Sequence, residues 1–275
     1  MTASADAISS PANPRVKAAV RLRDRREREE TGLTLVDGGR ELLRALAQSV
    51  EIDHAFVCSE LVIGADASAS LDALQRSGAP LIEVSPTVLA RIAFGDRSEG
   101  IVAVIRTPSV ALEALAAGPH PLVVVVEALE KPGNLGAIMR TADAVGASAV
   151  IAADPRTDVF NPNAIRASVG TIFSVALAIA TASHALDWLV GHGVTAIAAR
   201  VDAAQPYGDA DLGGSIAIVL GSEAGGLTST WNDPRVHPVR IPMRGAADSL
   251  NVSVAAAVLL FEARRQRSLG GAQRG

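Results

Sequence analysis

Three short stretches in the second half of the chain collect the residues best suited to chemistry: NLGAIMRTADAVGA (134–147), VLGSEAGGL (219–227) and RIPMRGAADSLNVSVAAAVLLFE (240–262). They supply two side-chain amides (Asn134, Asn251), a hydroxyl (Ser249), a carboxylate (Glu223) and a guanidinium (Arg140), each set among small or apolar residues. Arginine stays protonated in proteins, so Arg140 suits stabilising developing negative charge or holding an anion rather than accepting a proton. On its helix it is flanked by Ile138, Met139 and Ala142, and a guanidinium facing inward there needs a partner or a ligand. Glu223 sits in GSEAGGL, five small residues around one acid, and reads either as a helix-capping carboxylate or as a group that orients its neighbours.

Other chemistries lack their residues. The five histidines, His54, His120, His184, His192 and His237, are scattered without ligand spacing, so no metal site is expected. No G-x-S-x-G elbow is present, which argues against a Ser-His-Asp hydrolase. Gly133 and Gly136 are spaced G-x-x-G, not as the dinucleotide fingerprint G-x-G-x-x-G. EKPGNLGAI reads as a tight turn through Pro132, Gly133 and Gly136 that opens a helix, with Asn134 at its cap; Ser249 reads as the cap of the long C-terminal helix.

The elements that must position these residues fall into two α/β halves. In the first, LTLV, IDHAFVC, PLIEVS and GIVAVIR read as strands between helices DGGRELLRALAQSV, ASLDALQRSG and PTVLARIAF, ending near Arg106. TPSVALEALAAGPHP reads as a connector. LVVVVEAL then opens the second half as a continuous apolar run of the buried parallel type. Strands AVIAAD, SVALAIA, VTAIAAR, SIAIVLGSE and HPVRIP follow, alternating with helices, which implies a mostly parallel sheet with helices on both faces.

Composition sets the outer limits. A chain of 275 residues, 49% hydrophobic, is long enough for two domains with their own cores, and at 3% aromatic those cores must be aliphatic. Few aromatics also argue against a stacking platform for nucleic acid. The single cysteine, Cys58, lies in the apolar run AFVC, reads as a buried thiol and excludes an internal disulfide. The N-terminus lacks the basic opening and apolar core of a secretory signal. The longest apolar runs, such as Val252 to Phe261, fall short of the roughly 20 residues of a membrane helix. A cytoplasmic protein is expected. Residues 13–28 hold seven Arg or Lys against two acids, a local excess of five in a chain of net charge −4. This segment, with Arg15, Lys17 and Arg25, reads either as a solvated helix laced by i, i+4 ion pairs or as an electrostatic contact for phosphates.

Together the three stretches resemble the signature of the SpoU branch of the knotted SPOUT methyltransferases, enzymes that methylate ribose 2′-hydroxyls of RNA. The family pattern N-x-G-x-x-x-R is filled by Asn134, Gly136 and Arg140. The resemblance implies a trefoil-knotted catalytic domain over 121–275, a linker over 107–120, and a smaller substrate-binding domain over 1–106 related to ribosomal-protein-like RNA binders. It implies S-adenosylmethionine as methyl donor, with Ala199, Leu220, Gly221, Ile241, Met243 and Leu250 lining its pocket. Asn134, Arg140, Glu223, Ser249 and Asn251 would then form the reaction centre, with Glu223 orienting Asn134 and Arg140. NPNAIRASVGTIFSV (161–175) is similar to the family's RNA-facing segment, placing Arg166 and Ser168 at phosphate, with Gly170 allowing a close turn. Asp37 stands where the family more often carries Glu. The family pairs subunits through the C-terminal helix, so Val254, Val258 and Phe261 imply a homodimer surface, with core packing as the alternative use of that stripe. The implied substrate is large-subunit ribosomal RNA. A tRNA-directed enzyme and a non-catalytic RNA binder of the same fold remain alternatives, and housekeeping and antibiotic-resistance roles are not separated by the sequence.

Overall fold

The computed structural model describes residues 7–94 and 99–272, apart from the side chains of 270–272; part of the N-terminal stretch tested for a secretory signal lies outside the described residues. In chain order the elements are α1 (Pro14–Arg21), α2 (Arg25–Thr31), β1 (Leu33–Asp37), α3 (Gly39–Ala47), β2 (Ile52–Val57), α4 (Ala65–Ser77), β3 (Leu81–Glu83), α5 (Pro86–Ile92) and β4 (Ile101–Arg106). There follow β5 (Leu122–Glu127), α6 (Pro132–Val145), β6 (Ala149–Ala153), α7 (Pro162–Ala167), α8 (Thr171–Ser174) and β7 (Ala176–Ala180). Last come α9 (Ala182–Gly191), β8 (Thr195–Ala199), β9 (Ile216–Leu220), β10 (Val236–Val239) and α10 (Val252–Ala272).

These elements make two compact units, Met1–Pro108 with Phe160–Ser174, and Ser109–Val159 with Val175–Gly275. In the first, a four-stranded sheet runs β1-β4-β2-β3; β4 is antiparallel to both β1 and β2, while β2 and β3 are parallel. Its core joins Val16 and Leu22 to Leu35, Phe56, Cys58, Val88, Leu89, Ile92 and Val102. Cys58 is a buried free thiol as expected. Residues 160–174, read in the sequence with the second half, pack into this unit. Thr34 Oγ1 donates to the Phe160 carbonyl at 2.8 Å, and Arg44 donates to the Val169 carbonyl. Gly170, with φ +80°, lies so close to the Glu41 backbone that a Cβ would come within 2.8 Å of its Cα, so the close turn foreseen there needs glycine.

The second unit carries a six-stranded sheet in the order β10-β8-β9-β5-β6-β7, parallel throughout. Every residue of β5, LVVVVE, is buried, as a central strand covered on both faces requires. The connector is no free linker: Ile179 N–H donates to the Val110 carbonyl at 2.8 Å, and Leu112 enters the core of the second unit. At the far end of the chain, Arg267 donates to the carbonyls of His120 (3.0 Å), Pro121 (2.8 Å) and Gly214 (2.5 Å), fixing α10 to the segments that lead into β5 and β9.

Two helix starts differ from expectation. α6 begins at Pro132, whose fixed φ suits the first helical position, so Lys131 occupies the cap and Asn134 lies inside the first turn. Gly133 and Gly136 are accordingly helical rather than part of a turn. α10 begins at Val252, and the cap is Asn251 rather than Ser249: Asn251 Oδ1 accepts from the Ser253 N–H at 3.0 Å and its hydroxyl at 2.6 Å.

Candidate active site

In the second unit the chain leaves β8, β9 and β10 at the same edge of the sheet, and the segments after those strands enclose a cavity of about 490 Å³. Open α/β sheets place ligands at this carboxyl edge, near where the strand order turns back. Ala199 ends β8, Leu220 ends β9, and Ile241 and Met243 follow β10; all four line the cavity, as do Gly221 and Leu250. The six residues expected at a donor pocket are thus brought to one place. The loop after β9 is already shaped: Ser222 and Gly226 exchange backbone hydrogen bonds of 3.1 and 3.0 Å, and Ser222 Oγ accepts from the Gly225 N–H at 3.1 Å. A Cβ on Gly221 would overlap the Gly226 carbonyl, so this backbone approach excludes any side chain.

Beside the cavity stands a polar cluster built from three helix or loop starts. Glu223 Oε1 accepts from Asn134 Nδ2 and from Asn251 Nδ2, both at 2.7 Å, and Asn251 Nδ2 lies 3.4 Å from Asn134 Oδ1. Glu223 Oε2 pairs with Lys131 Nζ at 3.0 Å. The Lys131 ammonium, with the Asn134 amide, holds the Glu223 carboxyl below the usual carboxylate range, so it stays ionised and acts purely as an acceptor. Ser249 lines the cavity next to this cluster.

Arg140 is placed differently from expectation. Six residues beyond Asn134 on α6, it projects about 120° away around the helix. It is exposed, and no hydrogen bond or ion pair joins it to Glu223 among the described residues. Glu223 therefore orients Asn134 and Asn251 rather than Arg140. Sequence reasoning also missed Lys131 and three further charged groups at the cavity, Arg200, Asp202 and Asp248. Arg200 is bound to Asp202 at 3.0 Å. Lysine has no capping chemistry that would flag it at a helix start, and its partner is distant in sequence.

In the first unit, Arg15 and Lys17 are exposed on α1, whereas Arg25 is paired with Glu29 at 2.7 Å, the i, i+4 arrangement of a solvated helix. Arg26 and Glu30 repeat it, and the buried Arg28 donates to the Leu22 carbonyl at 2.8 Å. Arg166 donates to the Phe94 carbonyl and approaches Asp37 Oδ2 at 3.4 Å. Ser168, expected at phosphate, is fully buried instead: its hydroxyl donates to the Ile165 carbonyl at 2.7 Å and accepts from the Gly170 N–H at 3.1 Å. The tight turn at Gly170 consumes it.

A cavity at the carboxyl edge of a parallel sheet, with a fixed anion bonded to two amides beside it, defines a class: an α/β protein with a small-ligand site at the strand ends. Residues 121–261 match the SpoU rRNA Methylase family, and residues 13–103 match the MRM3-like substrate binding domain. The chain belongs to the SpoU rRNA methylase family. It is 38% identical over 205 residues to a 23S rRNA (guanosine-2′-O-)-methyltransferase RlmB of Ralstonia nicotianae, covering 72% of this chain and 82% of that one. A crystal structure of an RNA 2′-O ribose methyltransferase shares 41% identity and a TM-score of 0.84, over 95% of this chain and 99% of the other. The SpoU methyltransferase AviRb of Streptomyces viridochromogenes, solved with AdoMet, shares 27% identity and a TM-score of 0.84, over 93% and 98% of the two chains. No group of three or more His, Cys, Asp or Glu suited to a metal, and no helix long and apolar enough to cross a membrane, occurs among the described residues.

Proposed function

We propose that this protein is an S-adenosylmethionine-dependent 23S rRNA ribose 2′-O-methyltransferase. The observation that carries the reading is the convergence of Ala199, Leu220, Gly221, Ile241, Met243 and Leu250 on one cavity that adjoins the Asn134–Glu223–Asn251 cluster. The fit to the donor rests on this chain's own features. The volume is that of a small-ligand site. Gly221 leaves its backbone open to close approach, and Asp248 adds a carboxylate to a lining in which Asp202 and Glu223 already have cationic partners, which suits a ligand bearing positive charge. Bound there, the donor supplies an electrophilic methyl group.

The protein's task is then to orient a ribose hydroxyl and stabilise the oxygen as it loses its proton. Asn134 and Asn251, fixed through Glu223, hold polar atoms toward the reacting ribose, with the Ser249 hydroxyl beside them. Arg140 is exposed and cationic but turned about 120° from the Asn134 of its own chain, so within the proposed homodimer it binds the target phosphate and stabilises the developing alkoxide at the other subunit's cluster, and the proton passes to phosphate or water. Arg15 and Lys17 add sequence-independent phosphate contacts from the substrate-binding domain, assigned to residues 1–106 and joined through 107–120 to the catalytic domain, 121–275. The enzyme acts in the cytoplasm as a homodimer through α10, where Val254 and Phe261 are 48% and 55% exposed; that exposure weighs against core packing as their whole role.

The test is transfer of labelled methyl from S-adenosylmethionine to separated RNA pools, comparing wild type with Arg140→Ala. Label in large-subunit rRNA that falls about a hundredfold in the variant is the expected result. Label confined to tRNA would replace the substrate assignment, and donor binding without transfer to any RNA would favour a non-catalytic binder.

A further inference from the structure

Lys131 has an awkward position unless it serves Glu223. It stands at the cap of α6, where its cation faces the positive end of the helix dipole and its side chain satisfies none of the free N–H groups. Its ammonium instead reaches Glu223 Oε2 at 3.0 Å, while both asparagine amides occupy Oε1. The carboxylate is thereby engaged on both oxygens. We propose that Lys131 is a positioning residue for methyl transfer: by occupying one oxygen of Glu223 it keeps the other as the fixed acceptor that orients Asn134 and Asn251.

The proposal rests on the methyltransferase reading, and its physical need arises there. An approaching RNA brings a dense row of negative charge, which favours protonation of any carboxylate in its path. A protonated Glu223 would present a hydroxyl to the amide nitrogens and lose its grip on at least one of them. The charges around Glu223 are unevenly placed. Lys131 comes from the start of α6, and the cavity that Glu223 lines is also lined by Asp248 from the segment before α10 and by Arg200 and Asp202 after β8. Arg200 is engaged by Asp202 and Asn232, which leaves Lys131 as the cation bonded to Glu223 among the described residues. The pair is also half open to water, with Lys131 68% and Glu223 30% exposed. Its stabilisation of the fold is therefore small, and its effect should be read in rate and pH dependence.

The test compares wild type, Lys131→Met and Lys131→Arg in single-turnover methyl transfer to rRNA across pH. Expected for Lys131→Met is an acid limb displaced to higher pH, with a rate several-fold below wild type at about pH 5 that recovers toward neutral pH; Lys131→Arg restores the wild-type profile. A change confined to RNA KM, equal at every pH, would overturn the proposal in favour of a plain phosphate contact, as would an unmoved acid limb. A second readout is independent of activity: the Glu223 carboxyl, followed by carbon NMR without RNA, should titrate higher in Lys131→Met than in wild type. If wild type methylates no RNA, the functional reading fails, while an unshifted Glu223 titration sinks the role of Lys131 by itself.

Discussion

Two carboxylates, one in each unit, meet a cation and end up oppositely tuned. Glu223 is partly open to solvent, bonded on both oxygens, and held below the usual carboxylate range by Lys131 and Asn134. Asp37, at the end of β1, is buried; one oxygen accepts from Phe94 N–H and Arg166, and the other has no partner among the described residues. Burial pushes its pKa up to about 6 despite Phe94 and Arg166. An anion bonded to two side-chain amides is thus kept where water and contacts stabilise its charge, whereas one that ties chain segments together is sunk where the charge is costly.

The sharpest break in this comparison should come from the cavity itself. Gly221→Val, forcing a side chain into the Gly226 carbonyl, is expected to weaken donor binding at least a hundredfold by calorimetry while leaving the Asp37 region and its titration untouched. Glu223→Gln keeps the shape but sets an NH₂ or a weaker acceptor against the two amides, and should lower the single-turnover rate about thirtyfold with donor affinity changed less than threefold.

Asp37→Asn probes the other member. Because its folded pKa of about 6 exceeds its ordinary 3.8, the protonated form favours the fold below pH 4, and that contribution is lost as pH rises through about 6. Removing the titration should shift the wild-type-minus-variant stability difference between pH 4 and pH 7 by on the order of 2 kcal/mol, read by denaturant unfolding. A flat difference would mean that Arg166 neutralises the site fully. The smallest effect concerns the basic segment. Arg15→Ala and Lys17→Ala should each weaken rRNA binding a few-fold and reduce the salt slope by about one, whereas Arg25→Ala, whose cation is already spent on Glu29, should change either by much less.

The strands were readable because their residues are bulky, β-branched and uninterrupted; LVVVVE needs no tertiary context to announce a buried strand. That Ala199, Leu220, Gly221, Ile241, Met243 and Leu250 meet at one cavity was readable because all but Leu250 lie at or just after strand ends, and Leu250 just before α10. What escaped were choices settled by contacts distant in sequence. Lys131 gives no local signal, since its meaning lies in Glu223. Ser249 and Asn251 are both good caps by type, and only the chain path selected the one whose carbonyl reaches Ser253. Ser168 and Arg166 share a motif with RNA-facing residues, yet the turn at Gly170 and the pocket around Asp37 claim their polar atoms. Glu223 was expected to orient both Asn134 and Arg140, but of the two Asn134 is the one bonded to it among the described residues.

Arg267, near the end of α10, bonds to carbonyls just before β5 and β9. During synthesis the start of the central strand therefore waits for a side chain made 146 residues after Pro121 before its lead-in is fastened. The six-stranded unit should consequently mature late, remaining open to proteolysis until that part of α10 has emerged from the ribosome, while the 7–94 portion of the other unit is available earlier.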